Sequence, residues 1–140
     1  MFLVKAIALA YEAHKDQRDK IGEPYILHPL RVMLKMNNDA QRCVAILHDI
    51  LEDTTITKED LSSNGFPSNI VDAVVAITKV KGEKYENYLL RVKGNSLAHC
   101  VKIFDIADNL SPDRLDKLPT ETQDRLRKKY LCAFSMLEGL

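Results

Sequence analysis

Apolar residues in this chain recur three and four positions apart and rarely alternate in twos. That is the period of helices, not of strands. Leu3, Ile7, Ala10 and His14 form the first such stripe and predict a helix over residues 2–18, with His14 read as a hydrogen-bonded core histidine ahead of the alternative, a ligand. The polar stretch from Gln17 to Tyr25, containing Gly22 and Pro24, predicts a loop. Pro29 suits the first turn of a second helix and biases His28 toward extended backbone. His28 is therefore expected at the entrance of that helix. Leu30, Val32, Met33, Leu34 and Met36 continue it until Asn37-Asn38-Asp39 breaks it. A third helix is expected over residues 40–51.

Thr57-Lys58-Glu59-Asp60 reads as a capping box, and Asn64-Gly65 as the stop of its short helix. Phe66-Pro67 opens the next helix, with Ile70, Val71, Val74, Val75 and Ile77 as core. The β-branched run there would also suit a strand, but its neighbours are helical and no partner strand is evident. Tyr85, Tyr88, Leu89 and Val92 share a face, with Arg91 three residues beyond Tyr88. A long helix follows over residues 96–110. After Ser111-Pro112 and Pro119-Thr120, the last helix turns Leu126, Tyr130, Ala133 and Leu137 inward and Arg125, Arg127, Lys128 and Lys129 to water. The expected fold class is all-α, a single-domain helical bundle over residues 1–140.

Hydrophobic residues make up 46% of 140 positions, which excludes a disordered chain. No apolar run reaches transmembrane length. The apolar start is interrupted by Lys5 and lacks a preceding basic segment, so it is read as a core helix of a cytoplasmic protein and not as a leader. Twenty basic residues balance twenty acidic ones, so no nucleic-acid groove built on bulk charge is expected. Cys43, Cys100 and Cys132 are far apart and read as small buried hydrophobes.

Against this apolar background, four ionisable residues are packed into Ile46-Leu47-His48-Asp49-Ile50-Leu51-Glu52-Asp53-Thr54. On a continuous helix, His48 would lie above Glu52, and Asp49 above Glu52 and Asp53. Burying such groups is costly unless they are paired or bind a metal. A solvated polar stripe is the bland alternative. The favoured reading is a metal centre at His48 and Asp49, with Glu52 and Asp53 as an acid/base pair. Asp105 strengthens it. That residue replaces a hydrophobe on the stripe Leu97, Val101, Asp105, Asn109, so it needs a cation or donors. His28, His48, Asp49 and Asp105 form a mixed nitrogen and oxygen set suited to Mn²⁺ or Fe²⁺, with Zn²⁺ as an alternative. Without metal, Asp49 and Asp105 are expected to repel each other. Asn109 can donate an amide hydrogen to a phosphate or sugar oxygen. Tyr85, Tyr88 and Arg91 read equally well as packing or as part of a ligand site.

The ordered set His28-Pro29, His48-Asp49, Glu52-Asp53-Thr54, Lys102, Asp105 and Asn109, preceded by Gly22 and Pro24-Tyr25-Ile26, resembles the HD-domain metal-dependent phosphohydrolases. Within them it looks most like the hydrolase domain of the RelA/SpoT family and its stand-alone small alarmone hydrolases. The resemblance spans about residues 10–110. It implies a single Mn²⁺, with Fe²⁺, Zn²⁺ or Mg²⁺ as alternatives, held by His28, His48, Asp49 and Asp105. It implies Glu52 and Asp53 as the catalytic acidic pair, and removal of the 3′-diphosphate of (p)ppGpp to give GDP or GTP and pyrophosphate. By position, Arg18 and Lys20 lie in the loop on the guanine side, Tyr25 matches a motif residue, and Asn109 lies near ribose and phosphates. The family often has His where this chain has Asp108, and Gly where it has Asp16. The expected partner is a small phosphorylated nucleotide, with no nucleic acid and no membrane; self-association stays open. Two further readings are weighed: an HD-type hydrolase of another nucleotide or phosphoester, and a regulatory module that binds nucleotide or metal without turnover.

Overall fold

The computed structural model describes residues 2–138, and among these it contains ten α-helices and no strand. They are α1 (Phe2–His14), α2 (Leu27–Leu34), α3 (Asp39–Leu47), α4 (Ile50–Asp53), α5 (Lys58–Ser63), α6 (Ser68–Ile77), α7 (Tyr85–Lys93), α8 (Ser96–Asn109), α9 (Pro112–Leu115) and α10 (Thr120–Glu138). The all-α class expected from the periodicity is the one observed. No helix among the described residues is long and apolar enough to cross a membrane.

The bundle is built around α3. Its five consecutive residues Cys43 to Leu47 are all buried, and a helix apolar on every side must be surrounded. α1, α2, α6 and α8 pack on it. Ala6 and Ala10 on the inner face of α1 are fully buried, and their small size lets that helix approach α3 closely. Local signals place the helix starts. The Asn38 side chain accepts a hydrogen bond from the Gln41 N–H, and Asn95 accepts one from Ala98. Thr57 and Asp60 form the reciprocal capping box. The β-branched run after Pro67 is helical, with Ile70, Val71, Val74 and Ile77 buried; Val75, expected in the core, is 36% exposed.

Four local expectations are corrected. α1 ends at His14, four residues early. Beyond it the Gln17 N–H bonds to the His14 carbonyl, and the Asp19 carboxylate accepts from the Ile21 and Glu23 N–H groups. That side chain competes with helical bonding. His28 is helical and not extended: α2 begins one residue before it. Pro29 lies where a first-turn N–H has no partner inside the helix, so its missing donor costs nothing.

The third correction matters most for the site. The helix expected over 40–51 breaks at His48-Asp49. Asp49 sits at φ −105°, ψ 2°, between the main allowed regions. His48 Nδ1 lies 2.6 Å from the Ala45 carbonyl, to which it donates, so the imidazole competes for a helical acceptor. The continuous-helix stacking of His48 over Glu52 is therefore lost, while Asp49 stays one turn before Asp53, whose N–H bonds to the Asp49 carbonyl at 3.0 Å. The fourth concerns Cys132, read as a small buried hydrophobe, which is exposed. Lys129 faces water as expected and also lines the cleft described next.

Candidate functional site

Three parts of the chain converge on one point. α2 brings His28, the α3–α4 break brings His48 and Asp49, and α8 brings Asp105. His28, His48 and Asp49 each offer a ligand atom within 4.8 Å of the others. Asp105 Oδ1 lies 2.8 Å from His28 Nε2 and 3.2 Å from His48 Nε2. Asp49 Oδ2 is 3.1 Å from His48 Nε2 and accepts a hydrogen bond from the Tyr25 hydroxyl. Both Nδ1 atoms point away, His48 toward Ala45 O and His28 toward Asp108, so both Nε2 atoms face inward. Two imidazole nitrogens and two carboxylates converging in this way are the donors a divalent cation needs. The set forms a candidate metal site, with His28 and His48 almost wholly buried.

Electrostatics follow from that geometry. Burial would lower the His48 pKa, but Asp49 and Asp105 beside it outweigh burial and raise it well above the ordinary value. Burial pushes Asp49 up, yet His48 overrides this and brings the carboxyl to about 2. Asp105 is fully desolvated, and Lys102, with Nζ 2.9 Å from Oδ2, and the two histidines hold it well below the usual carboxylate range. Asp53 goes the other way. Burial first, then the charges of Asp49 and Glu52, push it up to about 6.

Glu52 and Asp53, on α4, line the same cleft of about 380 Å³ as the four converging residues. Lys20, Lys79, Lys102, Arg114 and Lys129 also line it. An adjoining hollow of about 550 Å³ is lined by Arg18, Asp19 and Ile21, and shares Lys20, Tyr25, Asp53, Asn109, Arg114 and Tyr130 with the cleft. Thus Lys20, Tyr25 and Asn109 stand where the two spaces meet, and Arg18 stands in the outer one. Arg91 is not brought there. Its guanidinium is taken by Glu83 and by the Thr78 carbonyl, which clasps the turn before α7. That turn carries Lys79, whose N–H donates to Glu52 Oε1 at 3.3 Å.

His14 is a fully buried core histidine, as expected, with a further consequence. Its Nδ1 is 2.9 Å from Gln17 Oε1, and Gln17 Nε2 donates to the Asp53 carbonyl. The end of α4 is thereby tied to α1.

Several cleft residues carried no clear sequence signal. Lys102 is the exception, since it stands three residues before Asp105 on one helix face. Arg114 enters across the α8–α9 turn, where helical periodicity predicts nothing. Its Nη1 donates to Asn109 Oδ1 at 3.0 Å, which leaves the Asn109 amide hydrogens free to face Asp105 and the cleft. Lys129 belongs to a basic run on α10. Its ammonium rests over the Tyr85 and Tyr130 rings, 5.0 and 5.3 Å from their centroids.

Residues 6–99, well over half of the chain, match the family model described as HD domain. A guanosine-3′,5′-bis(diphosphate) 3′-pyrophosphohydrolase of Aquifex aeolicus is 36% identical over 76% of this chain and 17% of its own length. A probable enzyme of the same name from Mycoplasma pneumoniae is 30% identical over 98% of this chain and 21% of its own length. The chain therefore spans about a fifth of the length of these curated relatives. A solved structure described as a metazoan ortholog of SpoT that hydrolyzes ppGpp superposes with a TM-score of 0.77 at 22% identity, covering 99% of this chain and 86% of that one. That likeness shows the same fold. From the family match and the shared fold together, this chain belongs to the HD-domain family.

Proposed function

We propose that the chain is a metal-dependent phosphohydrolase that removes the 3′-diphosphate of (p)ppGpp, giving GDP or GTP and pyrophosphate. One observation carries the reading. The His28, His48, Asp49 and Asp105 donors share a cleft with an acidic pair, and five cationic side chains line the same walls. A divalent cation, Mn²⁺ by choice of donors and Fe²⁺, Zn²⁺ or Mg²⁺ otherwise, supplies Lewis-acid activation of water and neutralises phosphate charge.

The chain's own groups do the rest. Asp53, whose carboxyl is pushed up to about 6 in the metal-free protein by burial and by the Asp49 and Glu52 charges, lines the cleft as the group that takes up and returns the proton. Glu52, beside it, orients the attacking water. Lys102, Lys79 and Lys129 face the phosphates, and the Asn109 amide donates to a phosphate or ribose oxygen. The outer hollow takes the nucleoside, with Arg18 and Lys20 on its loop wall and Tyr25 at the junction. The relatives named for this activity, and the solved structure described as hydrolysing ppGpp, support the choice of nucleotide.

The test is turnover of ppGpp with and without Mn²⁺, beside a panel of nucleotides that carry 5′- or 3′-phosphates alone. The expected result is Mn²⁺-dependent release of pyrophosphate and GDP from ppGpp. Turnover of another panel member with none of ppGpp would replace the substrate. Metal binding without any turnover would leave a regulatory module.

A further inference from the structure

Asp108 is 3% exposed and lies on α8, one turn beyond Asp105. Its Oδ2 is 2.6 Å from His28 Nδ1, the ring edge opposite Nε2. A carboxylate on that edge cannot reach an ion on the other. Three more contacts hold it. Arg31 donates from Nε at 2.9 Å and from Nη2 at 3.1 Å, the two-pronged geometry that fixes a carboxylate plane. Arg114 donates from Nη1 at 3.0 Å. The same nitrogen lies 3.1 Å from His28 Nδ1, and because its two hydrogens go to Asp108 and Asn109, it leaves Nδ1 free to keep its own proton. Arg114 also bonds Asn109 and lies 3.6 Å from Asp19 Oδ2. His48 has no such partner, since its Nδ1 rests on a neutral backbone carbonyl.

We propose that Asp108 is a positioning residue for the metal: it holds the His28 proton on Nδ1 and commits Nε2 to the ion, with Arg31 and Arg114 locking the carboxylate in place. This rests on the metal reading given above. A ligating histidine that donates its other N–H to a carboxylate has a fixed tautomer and a stronger donor atom. A carboxylate here gives His28 a charged partner where a neutral side chain would give it a weaker one. The two arginines compensate that charge inside the protein. Arg114 carries the same arrangement to Asn109, so one guanidinium sets both a ligand histidine and a substrate-facing amide.

The test uses the whole chain and the metal alone. Mn²⁺ affinity is measured by the electron paramagnetic resonance of free Mn²⁺ for wild type, Asp108→Asn and the exposed control Asp113→Asn. The expected result is a loss of about 10–100-fold for Asp108→Asn and wild-type affinity for the control. A folded Asp108→Asn protein with wild-type affinity overturns the positioning role and leaves the metal reading standing. A wild type that binds no Mn²⁺ overturns both. If Asp108→Asn does not fold, the wild type still decides. In the Zn²⁺-loaded protein, long-range ¹⁵N–¹H correlation must show His28 protonated at Nδ1 and metallated at Nε2. The opposite pattern overturns the proposal. ppGpp turnover is scored separately and does not enter this result.

Discussion

Lys102 Nζ lies 2.9 Å from Asp105 Oδ2, one turn earlier on the same face of α8. Asp105 does repel Asp49, as expected, but in the metal-free protein Lys102 and the two histidines outweigh that repulsion. Asp105 has Lys102, His28 and His48 around it, and each offers it a proton donor. The carboxylate is stabilised in the fold before any metal arrives.

A first prediction follows for Asp105→Asn. Removing one member of a buried ion cluster leaves the others uncompensated and costs about 3–5 kcal/mol. The retained amide oxygen keeps part of the hydrogen bonding, so the lower end of that range is expected. Metal-free Asp105→Asn should melt well below metal-free wild type. Mn²⁺ should raise the melting temperature of the wild type clearly, since it binds only the native state, and that of Asp105→Asn much less. Equal Mn²⁺-induced shifts would remove Asp105 from the ligand set.

His48→Ala and Asp49→Ala should both abolish tight Mn²⁺ binding, because each removes one of the converging donors. Metal content of the purified variants checks this. Full occupancy in both would place the ion elsewhere. Arg91→Ala, whose guanidinium is already taken by Glu83 and Thr78, should keep full occupancy.

Glu52→Gln and Asp53→Asn should each retain metal and lower kcat by roughly 10²–10⁴-fold. Asp53 carries a second, independent signature. Its folded pKa of about 6 lies above the ordinary aspartate value of 3.8. The folded state thus holds the proton more tightly, and this carboxyl destabilises the fold as pH rises through that window, fully so above about 6. Asp53→Asn removes the penalty. Urea unfolding of the metal-free proteins should show the variant about 1 kcal/mol more stable at pH 7.5, after solvent screening at an exposed carboxyl is allowed for, and less so at pH 4.5. A variant less stable at pH 7.5 would show that the Asp53 charge is compensated in the fold.

The sequence made some of this legible, for identifiable reasons. Asp105 stood out because a carboxylate on an apolar stripe has to be explained by what it faces. Thr57 announced a helix start because capping is local chemistry, whereas Asn38 and Asn95 read only as breaks, although both side chains cap helices. The break at His48-Asp49 was hidden, because it comes from one imidazole bonding a backbone carbonyl three residues back, and helical spacing assumes that bond away. Arg114 was hidden because its reach depends on the path of the α8–α9 turn. Lys129 was hidden because periodicity says which residues share a face but not what that face meets at its edge.

Lys129 supplies the last prediction. Its ammonium lies over the Tyr85 and Tyr130 rings and lines the cleft beside Glu52 and Lys102. Burial lowers its pKa, and the nearby charges of Lys102 and Lys20 lower it further. A cation held among cations gains most when an anion enters. If the substrate is a polyphosphorylated nucleotide, Lys129→Gln should lose one charge-assisted hydrogen bond, worth about 1.5 kcal/mol, and raise KM roughly tenfold. The kcat value should stay within about twofold, because the contact is made equally in the ground and transition states. Lys129→Arg keeps the charge and the ring contacts and should restore most of the affinity. The wild-type KM should rise with salt, and that of Lys129→Gln less steeply. A lysine that only packs against its two tyrosines would behave differently: Lys129→Gln would lower the melting temperature and leave KM and its salt dependence unchanged.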